Sequence, residues 1–337
     1  MYTIPPKKMV IINILDILKK YSDMDHRLTQ ADIIEKLQKE YFMEVDRKTV
    51  KRNLMNLLEL DCGIEYTEIP KKDKSGEESS IYTDWYMVRE FDDSELRLLI
   101  DSLLFSKHIP YSQCKQLISK LKGLSNVYFD EKVKHICNLP ENQPENKELF
   151  YTIDVLDDAI SQKKQVSFIY NSYGADKKLH PKREERYIVN PYQMVATNGR
   201  YYLICNYDKY DDLSNYRIDR ITGITMLDTP QKPLKGGINL PKHMAEHIYM
   251  FVGDSVRAKF RAKNYIIDQV IDWYGKDAKI MPENDEECIV TVSVNKNAFF
   301  CWAMQYGEHI EVLEPTDIRE KIISSVQEIA KKYSEKK

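Results

Sequence analysis

Arginine and tyrosine crowd one stretch of this chain, NGRYYLICNYDKYDDLSNYRIDRI (residues 198–221), which holds Arg200, Arg217, Arg220 and the adjacent pair Tyr201 and Tyr202. A guanidinium offers a planar fork that takes a phosphate or carboxylate through two parallel hydrogen bonds. An exposed aromatic ring stacks on a nucleobase. Together these residue types suit a phosphorylated or nucleic-acid ligand. The same residues allow a structural alternative, with the tyrosines in a core and the arginines paired to Asp208, Asp211, Asp212 or Asp219. Asn198-Gly199 between two runs of β-formers signals a hairpin closed by a type I′ turn, whose two central residues need positive φ. Side chains alternate along a strand, so Tyr201 and Tyr202 point to opposite faces, and Arg217 points away from Tyr216 and Ile218. Arg220 has apolar parity but sits at the strand end, where a long side chain can reach outward. Upstream, KKLHPKREER (177–186) makes the region locally basic in a chain of net charge −3.

A second concentration of chemistry lies in VDRKTVKRNLMNLLEL, where Arg47, Lys48, Lys51 and Arg52 fall within six residues. Val50, Leu54, Leu57 and Leu58 form the apolar stripe of a helix starting at Asp46. The opposite face then carries Lys48, Thr49, Arg52, Met55 and Asn56, with Lys51 at its flank. Two amphipathic helices precede it, the second starting at the N-cap Thr29. Two strands follow, IEYTEI and IYTDWYMV, joined by the polar loop PKKDKSGEESS. Three helices and a hairpin are the plan of a winged helix-turn-helix. Arg47, Lys48, Thr49, Lys51, Arg52 and Asn56, with Lys72 and Lys74 of the wing, are therefore the candidate contacts to a double-stranded DNA operator. Basic residues alone would suit an ordinary solvated helix face. Their place on the third helix, before a lysine-bearing wing, favours DNA.

The elements that position these residues fall into four stretches. Residues 1–89 hold the winged helix-turn-helix, and 90–149 a helical connector ending in the linker LPENQPENKE. Residues 150–232 read as a short helix and five or six strands with tight turns, a small β-barrel of Sm or SH3 type. Residues 240–337 follow the order βαββαβ of a ferredoxin-like domain with a terminal helix added. The fold class is thus α+β and multidomain. No run of about 18 apolar residues indicates a membrane span. Asp16, Lys19 and Lys20 break the N-terminal apolar stretch at helical spacing, which reads as a cytoplasmic amphipathic helix and not a signal peptide. The six cysteines are scattered without a CxxC pair, which argues against a zinc ribbon or a disulfide framework. His243 and His247 in HMAEH lack a third ligand, so no metal is expected. With no GxGxxG or Walker loop, neither a cofactor nor an enzymatic activity is expected.

GRYYLICNYDKYDDLSNYRIDRI closely resembles the signature of WYL-domain transcriptional regulators, with Tyr201 in the tryptophan position followed by Tyr202 and Leu203, and YRIDRI as the arginine-rich strand. The closing YGEHIEVLEP…IREKI is similar to their C-terminal extension domain. The resemblance covers nearly the whole chain. It implies a bacterial homodimeric transcription factor in which the barrel senses an effector, a single-stranded nucleic acid or nucleotide, through Arg200, Tyr201, Tyr202, Arg217 and Arg220. Two alternatives stand beside it. One is a nucleotide-binding or nucleotide-processing protein; the other is a scaffold whose helix-turn-helix mediates protein contacts. Consumption of a nucleotide would mark the first, and the absence of salt-dependent DNA affinity the second.

Overall fold

Apolar residues at helical spacing draw the first three helices together. In the computed structural model, which describes residues 7–72, 78–133, 146–234, 236–237 and 239–334, these are α1 (Val10–Tyr21), α2 (Gln30–Tyr41) and α3 (Arg47–Glu59). Ile14, Ile17 and Leu18 of α1, Ile33 and Leu37 of α2, and Val50, Leu54 and Leu57 of α3 share one core with Trp85. Thr29 starts α2 with a reciprocal capping box to Asp32, and Asp46 starts α3 by accepting from the Thr49 amide. Strands β1 (Ile64–Lys72) and β2 (Glu78–Met87) form an antiparallel hairpin. Leu28 and Trp85 exchange backbone hydrogen bonds of 2.8 Å in both directions, which fastens the α1–α2 connection to that hairpin.

The chain divides into two units, residues 1–145 and 146–337. Helices α4 (Asp93–Phe105), α5 (Tyr111–Lys122) and α6 (Val127–Lys132) belong to the first. Residues flanking these helices tie the stretch to α1 and the connection after it: the Arg89 guanidinium donates to the carbonyls of Lys19, Ser22 and Leu124, and the Asn126 amide donates to Asp23. The His26 ring stacks on Tyr128 with centroids 3.6 Å apart. Helix α6 gives no signal in the sequence, being too short to show a period.

The second unit opens with α7 (Leu149–Ser161) and continues through β3 (Lys164–Tyr173), β4 (Leu179–Pro181), β5 (Tyr187–Thr197), β6 (Arg200–Asn206), β7 (Ser214–Arg217) and β8 (Ile221–Pro230). These strands form a curled sheet in the order β4-β3-β5-β6-β7, with β8 also on β3. Its inner face is aromatic: Phe168, Tyr170 and Tyr187 surround Tyr216 at centroid distances of 5.6, 4.8 and 5.5 Å. The Tyr216 and Tyr207 hydroxyls lie 2.6 Å apart, and burial first, then that hydrogen bond, raise the Tyr216 pKa. The sequence suggests separate strands over ERYIV and YQMVAT. They form one strand, β5, because a register shift between Pro191 and Gln193 accommodates the proline.

After β8 come α8 (Leu240–Glu246), β9 (Ser255–Lys263), α9 (Ile267–Tyr274), β10 (Lys279–Pro282), β11 (Glu287–Asn295), α10 (Lys296–Gln305), β12 (Ile310–Glu314) and α11 (Thr316–Ser334). The sheet is antiparallel, in the order β10-β11-β9-β12. Strict alternation along β9 buries Ala258, Phe260 and Ala262 against Val270, Phe299 and Trp302, and turns Arg257, Lys259, Arg261 and Lys263 outward. Leu240 and Met244 of α8 pack against Val195, Ile204 and Met250. On the same helix Glu246 accepts from the Ser293 hydroxyl of β11 at 2.8 Å, so α8 touches both sheets.

At the C-terminal end of α8 the His243 ring stacks on that of the capping residue His247 at 4.0 Å. Burial, then repulsion from His247, pushes the His243 pKa from 6.5 down to about 4, against the pull of Glu246. The folded chain therefore refuses a proton that the unfolded chain takes below pH 6.5, so unfolding free energy falls as pH drops from 6.5 toward about 4. Urea unfolding of the full chain across this window will show a smaller loss for His243→Gln than for the wild type; equal losses would mean that His243 does not titrate this way.

Candidate functional site

Asn198 and Gly199 adopt φ values of 51° and 67°, as a type I′ turn requires. The turn fixes the register of β6, and β6 then pairs with β7 so that Tyr202 lies opposite Arg217 and Leu203 opposite Tyr216. Arg200, Tyr202 and Arg217 accordingly share one face. A 3-10 turn, Ile218–Arg220, follows β7 and brings Asp219 beneath that face, with only 1% of its surface exposed. Arg217 grips this carboxylate bidentately, Nε to Oδ1 at 3.0 Å and Nη2 to Oδ2 at 2.6 Å. Arg200 Nη1 lies 3.8 Å from the same Oδ2.

Arg220 sits on the 3-10 turn and not on a strand end. Its charge acts on Arg200, Tyr202 and Tyr170, and its buried Nε has no hydrogen-bond partner among the described residues. Two guanidinium groups thus meet one buried carboxylate, and the guanidinium of Arg220 lies 5.9 Å from the Tyr173 ring centre. Burial and then repulsion from Arg217 lower the Arg200 pKa. For Arg217, burial works against the charge, but the hydrogen bonds and attraction from Asp219 outweigh it and the pKa rises. Burial raises the Tyr202 pKa against the pull of Arg217 and Arg200. The structure does not bring Tyr201 into this group. It lies on the other face of β6, where burial and then the Asp157 carboxylate raise its pKa.

The backbone of the turn is held from two sides. Asn146 Nδ2 donates to the carbonyls of Asp219 at 3.1 Å and Ile221 at 2.8 Å, and Asn171 Nδ2 donates to that of Arg220 at 3.0 Å. The Arg217 amide donates to the Tyr170 hydroxyl at 3.4 Å. Asn146 carries no signal in the sequence, since it falls in the stretch that reads as linker. The basic run 177–186 divides its cations between tasks: the Arg183 guanidinium lies 3.6 Å from the Tyr187 ring centre, while Arg186 donates to Ser167 Oγ at 2.7 Å and to the Ser167 and Gly223 carbonyls.

On α3, Lys48, Lys51, Arg52 and Asn56 form an exposed face opposite the buried stripe. Arg47 is exposed but donates to Gln30 Oε1 at 2.9 Å, and the Thr49 hydroxyl donates to Asp46 at 2.8 Å. Those two side chains are partly committed to the start of the helix. Lys51 Nζ lies 5.7 Å from the Tyr82 ring centre, linking the helix to β2. Lys72 ends β1, and Lys74 lies outside the described residues.

Removing one partner of a buried ion pair leaves the other charge stranded, at a cost of about 3–5 kcal/mol. Arg217→Ala is therefore expected to destabilise the chain by about that amount in urea unfolding at neutral pH, and Arg217→Lys by less. Equal stability of Arg217→Ala and wild type would mean that Asp219 is not held as described.

Comparison with known proteins finds two domain models within the second unit. The WYL domain matches residues 151–226 and the WCX domain residues 253–330. The uncharacterized HTH-type transcriptional regulator YobV of Bacillus subtilis (strain 168) is 24% identical over 186 residues, covering 52% of this chain and 53% of its own length. The chain thus spans about half the length of that curated relative. Among solved structures, the proteasome accessory factor B/C (PafBC) of Arthrobacter aurescens is 14% identical with a TM-score of 0.30, over 95% of this chain and 48% of its own. A CRISPR Cas-related protein is 14% identical with a TM-score of 0.38, over 97% and 84%. Likenesses that distant carry no functional weight. The chain thus carries a WYL domain followed by a WCX domain, a succession that fits a WYL-domain transcriptional regulator.

Proposed function

We propose that this chain binds an operator in double-stranded DNA through its first unit and senses an anionic effector, a single-stranded nucleic acid or nucleotide, at the arginine cluster. The observation that carries the sensing role is the meeting of Arg200 and Arg217 at one buried carboxylate beside Tyr202, with Arg220 on the turn that bears that carboxylate. Such a cluster offers a phosphate several forked donors next to a ring that can stack on a base. Tyr201 takes no direct part in this arrangement and anchors the hairpin from its other face.

The DNA-binding role is supported by the exposed basic face of α3, by the hairpin that follows it and by the HTH-type relative. In this reading residues 1–89 are a winged helix-turn-helix, and α3 enters the major groove with Lys48, Lys51, Arg52 and Asn56. Residues 150–232 are an Sm-like barrel, and 240–337 are a ferredoxin-like domain, a plan that the strand order β10-β11-β9-β12 supports. The chain acts in the cytoplasm as a homodimer on a pseudo-palindromic site, regulating without catalysis.

Fluorescence anisotropy on duplex DNA from upstream of the protein's own gene tests this. Arg52→Ala is expected to weaken binding and to reduce the slope of log K against log salt by about one, the value for one lost phosphate contact. An unchanged affinity and slope would move the DNA contact elsewhere. A short single-stranded oligonucleotide is expected to change duplex affinity for the wild type. The loss of that response in Arg217→Lys, with the fold intact, would support sensing at the cluster.

A further inference from the structure

Asp219 occupies the fork of Arg217 in the geometry that a phosphate would take. An incoming phosphate beside that carboxylate would place two anions on the same guanidinium, an arrangement that like-charge repulsion disfavours. If the phosphate displaces the carboxylate, Asp219 is left buried without its partner, which is costly unless the turn carrying it moves. The binding of an anion and the position of the Ile218–Arg220 turn are therefore linked.

That turn is wired to one residue in particular. Asn146, itself only 6% exposed, spends its side-chain amide on the carbonyls of Asp219 and Ile221, on either side of the turn's last residue. Its Oδ1 accepts from the Glu148 amide at 3.0 Å. The Glu148 carboxylate in turn accepts from the Gly223 amide at 2.8 Å. Asn146 is also the residue at which the polypeptide coming from the first unit joins the second.

We propose that Asp219 is the chain's own stand-in for the effector phosphate, and that its displacement is passed through the Asn146 side chain to the polypeptide leading back to the first unit. This rests on the effector role proposed for the arginine cluster. It adds which group the effector replaces and which contact carries the consequence. An effector shifts such an equilibrium only by its preference for one arrangement. In the displaced arrangement the Arg217 fork belongs to the phosphate, and the Asn146 hydrogen bonds are broken or re-aimed.

The test uses the full chain, a fluorescein-labelled short single-stranded oligonucleotide and duplex DNA from upstream of its own gene. Asn146→Ala is expected to bind the oligonucleotide within about threefold of wild type but to lose the effect of that binding on duplex affinity, a coupling of typically about tenfold. Asn171→Ala, which frees the Arg220 carbonyl from the β3 side, is expected to keep the effect. Full coupling in Asn146→Ala, or equal loss in both variants, overturns the relay. Asp219→Asn, which keeps the shape and removes the charge, is expected to bind the oligonucleotide about tenfold more tightly, within the range of ordinary coupling energies; affinity no higher than wild type in a folded variant overturns the stand-in.

Hydrogen exchange on the wild type tests the relay without any substitution. The oligonucleotide is expected to raise exchange at the Glu148 and Gly223 amides, and unchanged exchange on binding overturns the proposal. A wild type that binds no oligonucleotide would instead bring down the effector reading itself, an outcome distinct from each of these.

Discussion

The buried ion pair between Arg217 and Asp219 is the constraint on which the second unit's surface depends. A carboxylate with 1% of its surface exposed is tolerated only if its charge is met and its oxygens are hydrogen-bonded. Meeting that demand fixes Arg217 on one face of β7, and through the register of β6 it places Tyr202 and Arg200 beside it. The tight 3-10 turn then needs its own carbonyls satisfied, which Asn146 and Asn171 do. A single desolvated charge thus recruits side chains from β3, β6, β7 and the residues leading into α7. The aromatic inner face behind it, with Tyr170 and Tyr216 packed ring to edge, gives the cluster a stiff floor.

Much of this is legible in the sequence because it rests on local rules. The Asn198-Gly199 turn, the capping residues Thr29 and Asp46, the apolar stripe of α3 and the strict alternation of β9 each follow from a few neighbouring residues. Parity along β6 and β7 is enough to separate Tyr201 from Tyr202, and Arg217 from Tyr216. It does not choose among four aspartates as partners for the arginines. That choice depends on a 3-10 turn, which ends the strand at Arg217 and tucks the next acid inward. Asp219 engages two of them, as the structural alternative has it, while the face they line remains only half-buried.

The less legible parts are those whose role is set by distant contacts. Asn146 stands in a proline-rich, polar stretch, and only tertiary structure shows its amide buried against a turn more than seventy residues away. Helix α8 is short, and its Leu240 and Met244 are too few to show a period; their importance comes from the apolar residues of β5 and β6 that meet them. The stretch after β2 reads as a connector because its helices are amphipathic and separated by Pro110. Arg89 and Asn126 tie that stretch to the end of α1 and the connection after it, through the carbonyls of Lys19 and Ser22 and the Asp23 carboxylate.

Asn198 illustrates a cost that turn chemistry conceals. Its backbone serves the hairpin, for which glycine or aspartate would do nearly as well, but its side-chain amide also donates to the Ile248 carbonyl at 2.6 Å, on the segment that runs from α8 to β9. Residues treated as equivalent by the geometry of a type I′ turn are not equivalent here, because only asparagine combines tolerance of positive φ with a donor long enough to reach across. Among related sequences, the identity at this one position should therefore vary together with the length and path of the 240–250 segment, and not with the hairpin it closes.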